Sequence, residues 1–199
     1  MSTMQDNNNK EIKVEENKNI SNDTKFKKVF FSFIWLVPIL FIIDVITKSL
    51  AYSNLTYGES VEIPGLNWLV QLTLTFNTGA AWGIGGNNIV SQILLCVLSY
   101  VAGAALIYYY IKKHKVMSKL LKAILMVCLA GDLGNLVDRT FALFPNLPTI
   151  YSQGVVDFID ITPLIPNFGI FNFADSCLTV GIIMLIVYEI VISIKSDKK

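Results

Sequence analysis

Four long runs of apolar residues constrain this chain more than any other feature. A helix needs about 20 mostly apolar residues to cross roughly 30 Å of hydrocarbon, and residues 29–50, 89–111, 120–137 and 170–194 meet that requirement. Charged residues make up only 16% of the chain, whereas soluble domains carry roughly 25%. The sequence therefore predicts an all-α integral membrane protein with four transmembrane helices, and it excludes a disordered, collagen-like or disulfide-rich chain.

The positive charges lie on one side of these four spans. Lysines precede the first span, fill the segment between the second and third, and end the chain, whereas residues 49–111 and 140–194 contain neither lysine nor arginine. The positive-inside rule then puts both termini in the cytoplasm and the loops 51–88 and 140–169 on the outer side. Residues 1–24 are rich in Asn, Lys and Glu, so we expect a disordered cytoplasmic tail before a membrane domain spanning 25–199.

The first outer loop and the cysteines add two smaller inferences. Residues Ser60–Thr75 alternate apolar and polar side chains, which favours a short strand pair or small sheet at the membrane surface. Cys96, Cys128 and Cys177 lie within apolar runs, without the spacing of a metal site, and are typical of small buried hydrophobes. We expect no metal and no cofactor, and a net charge of +1 without a basic face argues against nucleic acid as a partner.

Ionisable residues inside or next to the spans are the strongest indications of function, because such groups are costly in a membrane unless paired or hydrated. Asp44 and Lys48 are four residues apart in the first span, which favours an intrahelical ion pair that anchors the helix at the surface. Asp138 and Arg139 lie at the outer end of the third span. Asp175 opens the fourth span among apolar neighbours, with no positive residue nearby.

Asp157 and Asp175 are the two acids most readily brought together, since one precedes the fourth span and the other begins it. Two carboxyl groups a few Å apart do not both ionise easily, so one holds a proton while the other is charged. The charged group then takes a proton from water, and the protonated group donates to a carbonyl or leaving amine. From the residues alone, a proton-coupled transporter or a structural adaptor also remains open. Transporters usually have more spans or internal repeats, and an adaptor would not need Asn and Gly beside each acid.

Five short motifs, in order, resemble those of the lipoprotein signal peptidase (signal peptidase II) family. They are Asp44-x-x-x-Lys48, FNTGAAWG (76–83), GNLVDR (134–139), VVDFID (155–160) and FNFADS (171–176). The resemblance implies an aspartyl endopeptidase of the bacterial cell membrane with its active site at the outer face. It further implies cleavage of prolipoproteins before a diacylglyceryl-modified cysteine, and a small β-cradle in the first outer loop. We expect the protein to work as a monomer among membrane lipids.

The resemblance also assigns roles by position. Asp157 and Asp175 would be catalytic, and Asp44, Lys48 and Asp138 structural. The residues that hold the substrate or support the site would be Asn77, Gly79, Asn135, Arg139, Asn172 and Ala174, with Ala174 leaving room beside the attacking water. Asp132 departs from the family pattern, which has a small residue there. This extra carboxylate is expected near the site or directed at Lys48.

Overall fold

The structure, a computed structural model, describes Lys27, residues 29–79 and residues 88–196. The predicted tail and residues 80–83 of the FNTGAAWG motif lie outside these described residues. Within them are four helices long and apolar enough to cross a membrane, as predicted. The elements in chain order are α1 (Leu36–Asn54), β1 (Ser60–Glu62), β2 (Gln71–Asn77), α2 (Ile89–Lys113), α3 (Lys119–Ala142), β3 (Val155–Asp160) and α4 (Phe173–Ser196).

The first span begins later than the apolar run that predicted it. Instead of 29–50, α1 covers 36–54, because the backbone turns at Phe33, whose φ is 59°. The Trp35 indole N–H donates to the carbonyl oxygen of Phe30 at 3.0 Å and holds this turn. Pro38 falls in the first turn of α1, where a missing N–H removes no helix hydrogen bond. The other three helices begin within three residues of their predicted starts at 89, 120 and 170.

Helix α3 is the centre of the bundle and packs against each of the other three helices. It is buried along most of its length, whereas α1, α2 and α4 expose most of their apolar surface, as lipid-facing helices do. A Cβ on Gly131 would lie 2.5 Å from the carbonyl oxygen of Ala174, and one on Gly134 would lie 2.6 Å from the Asp44 carboxylate. Small residues therefore allow α3 to approach α1 and α4 closely.

Asp132 lies at the interface between α3 and α2 and forms no ion pair with Lys48, which was one of the two positions expected for it. It is 6% exposed, and its Oδ2 has no hydrogen-bond partner among the described residues. A Cβ on Gly103 of α2 would lie 2.7 Å from this oxygen. The glycine thus makes room for the carboxyl group, whose Oδ2 gains no hydrogen bond from the part of the chain that the structure describes.

We expect Asp132→Ala to raise the free energy of unfolding by about 1 kcal/mol, because an unsatisfied buried polar group costs about 1–3 kcal/mol and the small cavity left behind offsets part of that gain. Denaturant unfolding in detergent micelles measures the change. Gly103→Ala in the wild-type background is the matched comparison: it should destabilise the protein, and it should be tolerated once Asp132 is alanine. Additive effects of the two substitutions would contradict this contact.

The three strands form one antiparallel sheet in the order β1-β2-β3. The predicted strand pair in the first outer loop corresponds to β1 and β2. The third strand comes from the segment 140–169, where the sequence predicted only a loop. Backbone groups of Phe171 pair with Ile159, at 2.7 and 3.0 Å, so β3 is tied to the chain that enters α4. This connection places the two ends of the VVDFID–FNFADS segment side by side.

Candidate active site

Asp157 lies on β3, opposite Thr75 of β2, and is only 2% exposed. The side-chain amide of Asn172 donates to its Oδ1 at 2.7 Å, and the Asn77 side chain also hydrogen-bonds to it. Burial, followed by the negative charge of Asp175, raises the pKa of Asp157 well above its usual range. The group is therefore suited to carry a proton where an exposed aspartate would be charged.

Asp175 is held by a reciprocal pair of hydrogen bonds at the start of α4. Its backbone N–H donates to the side-chain oxygen of Asn172 at 2.9 Å, and its carboxylate accepts from the Asn172 backbone N–H at 3.1 Å. This is a capping box, in which a residue before the helix and the third helical residue satisfy each other's N–H groups. Asn135 of α3 donates to the other carboxylate oxygen at 2.7 Å. Both oxygens of the half-buried Asp175 are thus fixed in orientation.

Asn172 connects the two aspartates that the sequence predicted as a pair. Its side-chain N–H group bonds to Asp157, and its backbone N–H bonds to Asp175. The same side-chain amide also donates to the Asn135 oxygen at 3.0 Å. One fully buried asparagine therefore brings the carboxyl groups of β3 and α4 around a common point.

Lys48 is the centre of a second buried network beneath this pair. It is 0% exposed, and its Nζ lies 2.8 Å from a carboxylate oxygen of Asp44 and 2.8 Å from one of Asp138. It also donates to Asn135 Oδ1 at 3.2 Å and to the Gly134 carbonyl at 3.3 Å. The expectation of a surface anchor within one helix is therefore wrong. The i,i+4 pair exists, but it is buried, and the network extends from α1 to α3 because Asp138 is a second carboxylate partner of Lys48.

The two carboxylates on Lys48 each reach a backbone N–H next to a candidate catalytic residue. Asp44 accepts from the N–H of Ala174 at 2.9 Å, and Asp138 accepts from that of Val156 at 3.3 Å. Ala174 itself is 1% exposed and packs against Gly134, so its small side chain also allows α4 to approach α3.

Arg139, Asn77 and Gly79 form a third group at the edge of the site. The guanidinium of Arg139 donates to the Gly79 carbonyl at 3.1 Å, and the Gly79 N–H donates to the Asn77 side chain at 2.9 Å. The N–H of Gly79 is therefore used within the protein, whereas its carbonyl oxygen keeps a second lone pair that can accept a hydrogen bond from a substrate backbone. Asn77, at the end of β2, is also in position to bind the substrate backbone.

Two neighbouring cavities open onto the aspartates. One, of about 470 Å³, has Asp175 and Arg139 in its wall and is otherwise mostly apolar. The other, of about 330 Å³, has Asp157 and Thr75 in its wall. Asn77 and residues 169–170 line both cavities. Each carboxyl group thus faces a space of its own, with shared residues between them.

Asp160 has a structural position that the sequence did not reveal. It accepts hydrogen bonds from Gln71 at 2.7 Å, Thr73 at 2.9 Å and the Thr162 N–H at 2.9 Å. Burial alone would raise its pKa, but these hydrogen bonds outweigh burial and hold the pKa below the usual range. Asp160 therefore fastens β3 to β2 as a charged group, unlike Asp157 three residues earlier.

Comparisons with known proteins give one consistent result. The family model for signal peptidase (SPase) II matches residues 36–191. The lipoprotein signal peptidase of Bacillus subtilis (strain 168) is 34% identical over 156 residues, which are 78% of this chain and 91% of that protein. Two solved structures of a bacterial membrane enzyme, obtained by the in meso method at 2.3 and 1.9 Å, are each 29% identical to this chain. The 2.3 Å structure has a TM-score of 0.67 and covers 84% of this chain and 91% of its own. The 1.9 Å structure has a TM-score of 0.63 and covers 78% of this chain and 90% of its own.

Proposed function

This chain belongs to the signal peptidase II family, and on that basis we propose that it is an aspartic endopeptidase that removes signal peptides from prolipoproteins. Its cleavage site is the bond before a diacylglyceryl-modified cysteine, and its nucleophile is a water molecule activated by Asp157 and Asp175. The observation that carries this proposal is the convergence of these two carboxyl groups on Asn172. The four helices make the chain a multi-pass membrane protein.

Different surroundings give the two aspartates different roles. Asp157 is the more buried, and its raised pKa suits the protonated partner. Asp175 accepts N–H donors on both oxygens at a helix N-terminus, where the dipole favours a negative charge. We assign Asp157 as the general acid and Asp175 as the general base, an arrangement in which neighbouring carboxyl groups share one proton.

The reaction follows from these protonation states. Asp175 takes a proton from water as the water oxygen bonds to the scissile carbonyl carbon, and Asp157 gives its proton to the carbonyl oxygen. As the resulting tetrahedral diol collapses, the C–N bond breaks and Asp175 passes its proton to the leaving amine. Asp157 recovers a proton from the diol hydroxyl, so the pair returns to its starting state without a metal or cofactor.

The cavity beside Asp175 suits an apolar substrate segment. Its wall includes Phe168, Ile170 and Leu178, and it lies between the loop that follows β3 and the lipid-facing helix α4. A signal peptide or an acyl chain can reach it from the bilayer, and Arg139 provides a polar group in its wall. Prolipoproteins are therefore the proposed substrates, bound by a monomer at the bilayer surface.

The active site belongs, in this proposal, to the outer face of the membrane, with both termini in the cytoplasm. Helix α3 has 24 residues, about 36 Å at 1.5 Å per residue. The lysine-rich segment precedes its first turn, and Asp138 and Arg139 lie in its last turns. Because lysine marks the inner side, the opposite end of α3 and the sheet packed there face outward.

Cleavage of a lipid-modified precursor by the purified protein tests the function. We expect hydrolysis of the bond before the diacylglyceryl-cysteine, and at least about tenfold slower hydrolysis of the same peptide without its lipid, because burial of long acyl chains contributes about 0.8 kcal/mol per CH₂. Mass spectrometry of the products identifies the cut bond, and a Cys→Ser precursor that cannot be lipid-modified is the control substrate. Proton flux through liposomes that contain the protein, without peptide hydrolysis, would instead support the alternative function of a proton-coupled transporter.

A further inference from the structure

A second groove, of about 790 Å³, lies at the end of the bundle remote from the aspartates. It is bounded by the chain that leads into α1, the last turn of α2 and the first turn of α3. The hydroxyl of Tyr110 donates to the Ser32 carbonyl at 2.7 Å and thereby holds the segment before α1 against α2. The groove is therefore part of the packed fold, although it plays no part in the proposed peptide hydrolysis.

The two sides of the groove differ in chemistry. Its apolar wall consists of exposed side chains, Val29, Phe31, Ile34 and Ile111. Its polar rim carries Lys115 and Lys122, together with Lys27 and His114, and no acidic residue is among the described residues that line it. Within residues 29–79 and 88–196, neither Lys115 nor Lys122 forms an ion pair with a carboxylate. The groove thus combines a positively charged rim with an apolar wall.

We propose that this groove binds an anionic phospholipid of the membrane. Its phosphate lies between Lys115 and Lys122, and an acyl chain packs along Phe31 and Ile34. Basic pockets between helices at the cytoplasmic surface suit anionic head groups, since that surface of the bilayer is itself negative. A free phosphate ion would match the rim but not the apolar wall, so a lipid accounts for both sides. The proposal depends on the membrane-spanning fold and not on the proposed peptidase activity.

Native mass spectrometry of the full chain in detergent, titrated with phosphatidylglycerol or with phosphatidylcholine, tests this site. We expect phosphatidylglycerol to bind more tightly than phosphatidylcholine. Lys115→Gln/Lys122→Gln should bind phosphatidylglycerol about 25-fold more weakly, since each lysine near an anionic surface contributes about a factor of five. Lys112→Gln/Lys113→Gln is the matched control, because it removes the same charge from the adjacent helix end outside the groove, where Lys112 lies over the Tyr108 ring.

Three results would overturn the proposal. Equal affinity for the two lipids would show that head-group charge plays no role. An equal loss of phosphatidylglycerol affinity in the test and control variants would show that the lysines act only through the general surface charge. Competition by millimolar inorganic phosphate as effective as that by the lipid would identify free phosphate as the ligand. Thermal unfolding without lipid should be alike in both double variants, so that a folding defect is not mistaken for lost binding.

Discussion

Asp157→Asn is expected to abolish cleavage and, at neutral pH, to make the protein more stable. Loss of a general acid typically lowers the rate by about 10²–10⁴-fold, so kcat on the lipid-modified precursor should fall by at least about 10²-fold. The gain in stability has a separate cause, the raised pKa of Asp157. Because the pKa of Asp157 is raised in the folded state, its ionisation destabilises the fold as pH rises above the ordinary carboxyl range. Asparagine avoids that cost, so the gain in melting temperature should be seen at neutral pH and vanish in acid.

Asp175→Asn should lose activity to a similar extent. Asp160→Asn is the matched control, because Asp160 lies on the same strand as Asp157. The pKa of Asp160 is lowered, so its charge stabilises the fold above the ordinary carboxyl range and that contribution disappears as pH falls. We therefore expect Asp160→Asn to keep cleavage activity but to melt earlier at neutral pH. Turnover near the wild-type rate in either the Asp157 or the Asp175 variant refutes the catalytic pair.

Lys48→Met is expected to produce the largest loss of stability of any single substitution near the site. It leaves two buried carboxylates, Asp44 and Asp138, without their shared positive partner. Removing one member of a buried ion pair costs roughly 3–5 kcal/mol, a large part of the 5–15 kcal/mol by which proteins are typically stable. Little folded protein should be recovered, and denaturant unfolding in detergent should show the shift in any that is.

The controls for Lys48 separate charge from size. Lys112→Met replaces an exposed lysine on α2 by the same side chain and should unfold like the wild type. Adding Asp44→Asn and Asp138→Asn to Lys48→Met removes the unpaired charges and should restore much of the lost stability, as neutral replacements of buried ion networks do. Wild-type stability of the single Lys48 variant would show that the network does not support the fold.

Hydropathy and charge placement predicted the membrane class and the number of spans, because lipid imposes a length and composition on each helix. The first span was placed too early because residues 31–35 are as apolar as the helix, and only the turn at Phe33 separates them from it. The strand β3 was missed because it is buried at all but one position. Its sequence therefore shows no polar face, and Asp157 itself points inward.

The pairing of Asp157 with Asp175 was predicted, but its physical cause was not. The Asn172-x-x-Asp175 capping box was available in the sequence, since that spacing is the rule for helix starts. By contrast, nothing in the local sequence indicates that Lys48 is shared between α1 and α3, or that Asp132 faces Gly103. Those contacts depend on which helix faces pack together, and side-chain spacing along one helix does not determine this.

The contacts of Asp44 and Lys48 connect the first helix of this protein with the third and the last. Lys48 of the first helix pairs with Asp138 of the third, and Asp44 of the first helix accepts a hydrogen bond from the Ala174 N–H of the last. During synthesis, a chain that has inserted only three helices contains Lys48 and its two carboxylate partners but lacks Asp175 and Asn172. In the proposed mechanism, proteolysis therefore begins only once the final helix is in place.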